Sequence, residues 1–467
     1  MATLRCSWVP CGLSPADGRA GRLWRFVAIC WLGSNLWLIA TPARAVPAFA
    51  RQTGQSCVAC HAGGQFPELT PYGRIFKLTG YTFGEHANPV SAMVVADWTA
   101  NSNNSDGMGG QLTDLDRRFI ADFGSVFLAG KITDNIGGFG QWTYAVHDHQ
   151  NASGNWVGQF GSDNFDLRYA HEDSSTDHGL IWGLTLHNNP TVQDIWNSTP
   201  AWGYPYLAPS GNASVGAPPS TLIEGALAAS VAGVGAYALV DRAVYLEFTN
   251  YQTAKGPWSF LSIGKTTGDP DNPLTYVQGW NPYLRLAYTR EWGPQNIMLG
   301  AFDLHAGVLP LDGNNNPIYG QGATHYHDSG IDAQYQYLLS PHTFTAQLRW
   351  VHEAINDDTQ NVYSAPATLD SVRLKGTYVY QEKYGVSLAY TNVTGSPDPT
   401  AYAGSAINSP NTIYWTPELF WMPLNNLRIG LQFNLFTRYL GARTNYDGNG
   451  RNATDNNNLF LYLWLAI

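Results

Sequence analysis

Leu427-Arg428-Ile429-Gly430-Leu431-Gln432-Phe433-Asn434-Leu435 alternates an apolar side chain with a polar residue or glycine at every step. Successive side chains of an extended chain point to opposite faces, so this period of two gives one face suited to lipid and one suited to a polar lumen. The pattern runs through Asn426 to Leu440, placing Tyr439 with the apolar set and Arg438 with the polar one. In His178 to His187, Leu180, Trp182, Leu184 and Leu186 oppose Gly179, Gly183, Thr185 and His187 in the same way. From about Ala92 to the C-terminus roughly sixteen such segments of about 8–14 residues can be marked. No run approaches the roughly 20 apolar residues of a membrane helix. The last nine residues, Leu459 to Ile467, form an aromatic-rich apolar strand suited to closing a barrel. A soluble β-sandwich would carry polar outer faces, which these segments lack. The fold class is therefore all-β: a transmembrane outer-membrane barrel of about 16 antiparallel strands spanning residues 92–467.

The connections are consistent with this reading, because such barrels alternate short periplasmic turns with long external loops. Short links at Thr133–Gly137, Val240–Asp241, Gly293–Pro294, Ser340–Pro341, Glu382–Lys383 and Pro423–Asn426 alternate with long ones at Asn101–Asp114, Asp148–Asp163, Asn188–Ile223, Gly307–Asp328 and Gly441–Asn458. The stretch Gln252–Pro282 has room for a loop or an extra hairpin.

The N-terminus carries Arg19, Arg22 and Arg25, an apolar run from Phe26 to Ala40, and Ala43-Arg44-Ala45, which has the form of a signal-peptidase site. Residues 1–45 are thus expected to be a secretory signal, taking Cys6, Cys11 and Cys30 with them. Removing their net +4 from the formal −10 leaves −14 on the remaining chain. An acidic balance of that size argues against nucleic acid as a partner.

Two cysteines then remain, in Cys57-Val58-Ala59-Cys60-His61. Two intervening residues let both sulfurs reach the vinyl groups of one haem, and the adjacent imidazole can turn onto the iron. A zinc site would need a second ligand pair, and a thioredoxin-type dithiol would need a βαβ context; neither is present in the sequence. Cys57 and Cys60 are the expected attachment points of one covalent haem c, and His61 its iron ligand. Residues 46–91 are too few to bury a haem by themselves, so the segment is expected to fold back as a plug in the barrel lumen. Phe49, Phe66, Leu69, Tyr72, Ile75, Phe76 and Leu78 are candidates to pack on the porphyrin, with Thr70 capping a short helix from Pro71. Arg51, Arg74 and Lys77, with Arg285, Arg349, Arg373, Lys375, Arg428 and Arg438 on the lumen face, are candidate partners for haem propionates. Met93, His86 and the lumen histidines are open candidates for the sixth ligand, as is a vacant or water-bound position.

The stretch Ala48-Phe49-Ala50-Arg51-Gln52-Thr53-Gly54-Gln55-Ser56-Cys57-Val58-Ala59-Cys60-His61, then Pro67 to Tyr81, followed by a porin-like barrel, resembles the fused outer-membrane monohaem cytochrome c-porins of iron-oxidising bacteria. The resemblance implies a single haem c in an N-terminal plug and electron transfer from extracellular Fe(II) to a periplasmic carrier. It also implies thioether attachment at Cys57 and Cys60, with His61 as proximal ligand. Two other functions stay open: a solute porin with a structural or sensory haem plug, and a conduit sending electrons outward. His147-Asp148-His149 and His325-Tyr326-His327-Asp328 each place two imidazoles at i, i+2 near external strand ends, where a metal donor could approach. No catalytic triad, phosphate-binding glycine loop or paired-carboxylate motif stands out.

Overall fold

The computed structural model describes residues 47–65, 67–106, 109–151, 153–173, 179–190, 192–198, 204–213, 217–265 and 273–467. The expected signal segment and Phe66 lie outside them. The strands are β1 Val90–Asn101, β2 Phe119–Lys131, β3 Ile136–Gln150, β4 Trp156–Asp173, β5 Leu180–His187, β6 Val231–Val240, β7 Val244–Thr253, β8 Val277–Gln278, β9 Asn281–Trp292, β10 Gln295–Val308, β11 Thr324–Leu339, β12 His342–Asp357, β13 Ala367–Tyr380, β14 Tyr384–Gly395, β15 Thr412–Leu424, β16 Leu427–Arg438 and β17 Asn458–Ala466. Apart from the two-residue β8, each strand pairs antiparallel with its neighbours in the chain, and β1 closes the ring on β17, Met93 opposite Ala466 and Asn101 opposite Asn458. The result is a sixteen-stranded closed barrel. Closure pairs every strand edge, which a lipid environment without hydrogen-bonding water demands.

The described residues of Gln252–Pro282 form no extra hairpin: after a 3₁₀ turn at Gly256–Leu261 comes β8, which adds to the end of β10 through Gln278 and Gly307. Two expected loops are shorter than anticipated. Pairing in β3 and β4 reaches Gln150 and Trp156, and β11 begins at Thr324, so the loops shrink to residues 151–155 and 309–323. Strands β3, β4 and β11, at 15, 18 and 16 residues, exceed the 9–11 residues that cross a membrane, and their polar ends go on pairing above it. Tyr439 is also misplaced by simple alternation. The register of β15 with β16 slips between Ile413 and Tyr414, and Tyr439 packs fully buried with Phe436 and Tyr446. A slip of one residue exchanges the faces of everything beyond it.

The outer wall exposes Leu184, Leu246, Leu286, Leu299, Leu388 and Leu419. Trp292, Tyr384 and Trp421 ring the end with short turns, and Trp280, Trp350 and Trp415 the end with long loops. An apolar band between aromatic girdles is the exterior of an outer-membrane barrel, and the chain is an outer-membrane protein. The end with short turns faces the periplasm. Inside, several buried arginines are paired with carboxylates: Arg285 with Asp332 at 2.7 Å, Arg349 and Arg373 with Glu224 at 2.6 and 3.0 Å, Arg428 with Glu418 at 2.6 Å.

The described residues of the segment 47–89 lie within the barrel at its periplasmic end. Three short helices, α1 Pro47–Thr53, α2 Cys57–Cys60 and α3 Pro71–Leu78, follow one another. Thr70 caps α3, its hydroxyl accepting from the Gly73 amide at 3.2 Å, and Pro71 supplies the preset first turn. Gln52 locks α1 in place: its amide donates to the carbonyls of Tyr81 and Phe83, both at 2.7 Å, and accepts from the Lys131 amide of β2. From the opposite end, the loop after β5 enters the lumen. Its Trp196 is fully buried against Tyr245 and shares a cluster with Leu78 of α3.

A cysteine-lined pocket at the periplasmic mouth

Cys57 and Cys60 begin and end one helical turn, and the chain leaves it extended at His61, whose amide donates back to the Cys57 carbonyl at 2.8 Å. The next segment folds over this turn: Thr70 donates from its amide to the Cys60 carbonyl at 2.9 Å and from its hydroxyl to Ala59. Helix α3 approaches closely because residue 73 is glycine; a β-carbon there would stand 2.2 Å from the Cys60 carbonyl oxygen. The turn is fastened to the barrel seam, where Gln65 donates to the carbonyls of Asn426 and Trp464 at 3.5 and 3.4 Å.

Cys57, Cys60 and His61 all border one pocket with about 1280 Å³ of unfilled space, part of it open to solvent. Its walls are mainly apolar. Phe49 and Phe76 come from the plug, Phe127 and Phe139 from β2 and β3, and Met93 and Trp464 from the closing strands. The rings hold each other: Phe49 stacks on Tyr81 at 5.1 Å and meets Phe76 edge-on at 5.1 Å, while Tyr81 meets Phe139 edge-on at 6.1 Å. Burial, helped by the neighbouring Cys57, pushes the Cys60 thiol up to about 11. A redox dithiol needs the opposite, a thiol whose pKa is lowered. Two thiols and an imidazole around an apolar, aromatic-walled pocket are a donor set that fits a covalently held haem.

The expected packing residues divide. Phe49, Leu69 and Phe76 line the pocket; Leu78 and Ile75 instead pack toward Trp196, and Tyr72 is exposed. The propionate candidates are mostly engaged elsewhere. Arg74 donates to Gln336 and Asn296 at 3.1 and 3.2 Å, Arg51 to the carbonyls of Asn88 and Val90, and Lys375 pairs with Glu68 of the plug. Arg285, Arg349, Arg373 and Arg428 hold their lumen carboxylates, and of the nine candidate cations Lys77 alone borders the pocket. Its ammonium donates to the carbonyls of Val192 and Asp194 at 2.6 and 3.2 Å, and burial lowers it to about 8 despite Asp166 at 3.9 Å.

Among the expected sixth-ligand candidates, Met93 lines the pocket and His86 does not; Met93 Sδ accepts from Trp464 Nε1 at 2.6 Å. His187, the buried lumen histidine, is bound to Tyr251 at 2.9 Å away from the pocket. The sequence carries no local sign of Gly73 or Trp464 as site residues, since both matter only through contacts made after folding. His147 to His149 and His325 to His327 lie near the external ends of β3 and β11, and His327 meets an unforeseen pair, Asp303 and His305 of β10.

No protein-family model matches the chain, and no curated protein matches it. Among solved structures, the outer membrane channel DcaP of Acinetobacter baumannii is similar over 81% of this chain and 96% of its own, with 12% identity and a TM-score of 0.44. The anion-selective porin from Comamonas acidovorans is similar over 81% and 98%, with 14% identity and a TM-score of 0.42. OmpT of Vibrio cholerae matches over 81% and 97%, with 11% identity and a TM-score of 0.42.

Proposed function

We propose that the chain is an outer-membrane c-type cytochrome that carries electrons between the cell exterior and the periplasm, with extracellular Fe(II) as donor and a periplasmic carrier as acceptor. The supporting observation is the placement of Cys57, Cys60 and His61 on an apolar pocket inside a membrane barrel, at its periplasmic mouth. The thiols would hold one haem c by thioether bonds, His61 would ligate its iron, and Met93, which borders the same pocket, would be a second ligand. Bound there, the haem supplies one-electron chemistry.

The chain's own part is to seat, insulate and connect. The mainly apolar, aromatic walls would shield a haem held there from most water, and Lys77 offers one positive charge beside the pocket. The pocket lies near the periplasmic end rather than at mid-lumen. Met93 is eight residues from the external end of β1, and at about 3.3 Å per residue and a tilt near 40° that leaves roughly 20 Å of height above it. Trp464, Tyr462 and Phe460 succeed one another up the inner side of β17 through that interval. A solute pore is the alternative, suited by the polar lumen, but α3 and the Trp196 loop meet across that lumen.

The test is the visible spectrum of full-length protein made in a host that attaches haem c, mixed rapidly with Fe(II). A reduced c-type band that forms with Fe(II), is missing in Cys57→Ala/Cys60→Ala, and belongs to a haem whose potential falls in Met93→Ala supports the reading. Absence of covalent haem overturns it. A haem reduced by dithionite but not by Fe(II) removes iron as donor, and large steady bilayer currents favour the pore.

A further inference from the structure

On the outer wall, β10 and β11 place Asp303, His305 and His327 together. His305 and His327 are directly opposed in the strand register, and Asp303 lies two residues along β10 on the same face. The imidazole rings stack with centroids 3.9 Å apart and planes 16° apart. Both rings turn Nε2 to one carboxylate, His305 at 3.0 Å from Oδ1 and His327 at 2.8 Å from Oδ2 of Asp303. All three donor atoms fall within 4.8 Å of one another. Ser329 buttresses the group, donating to Asp303 Oδ2 at 2.8 Å.

We propose that these residues bind a divalent first-row transition-metal ion at the outer rim of the barrel. Two imidazoles and one carboxylate form a donor set of that class, leaving coordination positions for water or an incoming group. Bonds of about 2.1 Å in tetrahedral geometry would set the donors about 3.4 Å apart, which small side-chain rotations can reach from the observed spacing. The site sits above the apolar band, since Leu299 and Ile331 of the same strands face lipid nearer the periplasm. It faces outward rather than into the lumen, so it is separate from the cysteine-lined pocket and does not depend on what that pocket holds. Two nearby pairs, His325 with Asp358 and His352 with Asp370, each at 3.0 Å, offer one imidazole and one carboxylate, with no third His, Cys, Asp or Glu donor among the described residues.

Zn(II) titrated calorimetrically into full-length protein in detergent micelles tests this, with Cys57→Ala/Cys60→Ala as background to remove the thiols. One ion per chain is expected. His305→Ala and His327→Ala should each weaken binding at least about 10-fold. Asp303→Asn, which retains hydrogen bonding but loses the charge, should weaken it too, and His352→Ala should not. Circular dichroism confirms that each variant keeps the barrel. Failure of the background protein to bind Zn(II), or equal affinity in the His305→Ala/His327→Ala double variant, overturns the proposal.

Discussion

Replacing Gly73 by alanine should loosen the plug at one identifiable contact. The added methyl would stand 2.2 Å from the Cys60 carbonyl oxygen and 2.9 Å from its carbonyl carbon, both backbone atoms. Helix α3 and the Cys57–Cys60 turn must therefore separate by about 1 Å to restore ordinary contact. A movement of that size stretches the 2.9 Å bond from the Thr70 amide to the Cys60 carbonyl beyond useful length and also releases the Thr70 hydroxyl from Ala59. Two hydrogen bonds at a net of about 1 kcal/mol each give a loss of about 2 kcal/mol, within the usual range for overpacking. Hydrogen exchange at the Thr70 amide reads this directly as an acceleration of about 30-fold. Gly376→Ala, where the methyl meets open space, is the control and should leave exchange unchanged. Equal Thr70 protection in Gly73→Ala and the parent would refute the close approach of α3 to the cysteine turn.

Glu68 of the plug pairs with buried Lys375 of β13, and Glu68→Ala strands that ammonium at a cost of about 3–5 kcal/mol; proteolysis of residues 47–89 should accelerate, and Glu68→Ala/Lys375→Met should recover much of the protection. Burial holds Lys77 at about 8 against an ordinary 10.5, so between those pH values the unfolded plug binds more protons than the folded one. Its stability should rise with pH across that window by about 3 kcal/mol and stay level below it. Thermal midpoints of the parent should climb from pH 8 to 10.5, and those of Lys77→Met should lack that climb.

The wall of this barrel is legible residue by residue. Leu427, Ile429 and Leu431 alternate with Arg428, Gly430 and Gln432 as the two faces require, and the turns at residues 293–294 and 340–341 stand where the pattern breaks. What failed was non-local. Tyr439 lies beyond a register slip that depends on the partner strand, and strand ends above the membrane continue pairing where composition suggests loop. The same division runs through the sites. Cys57, Cys60 and His61 are neighbours in sequence, so their chemistry can be read directly. Asp303 and His305 share the i, i+2 spacing that drew attention to His325 and His327, yet their meeting with His327 depends on which residue of β11 opposes His305. Most expected propionate partners are spoken for by lumen carboxylates or plug contacts, whose proximity no spacing along the chain reveals.

The barrel closes where β1 meets β17, and the plug is attached on both sides of that line. Residues 47–89 lead directly into β1, while Gln65 reaches the carbonyls of Asn426, in the last short turn, and Trp464, in β17. The first segment of the described chain is thus held by a strand synthesised long after it. Its final contacts cannot form until the ring is complete, so any cofactor joined to Cys57 and Cys60 beforehand must be carried on a tether and stowed at closure. A truncation of the C-terminal strand would then cost the cell two things at once: a sealed wall and a seated plug.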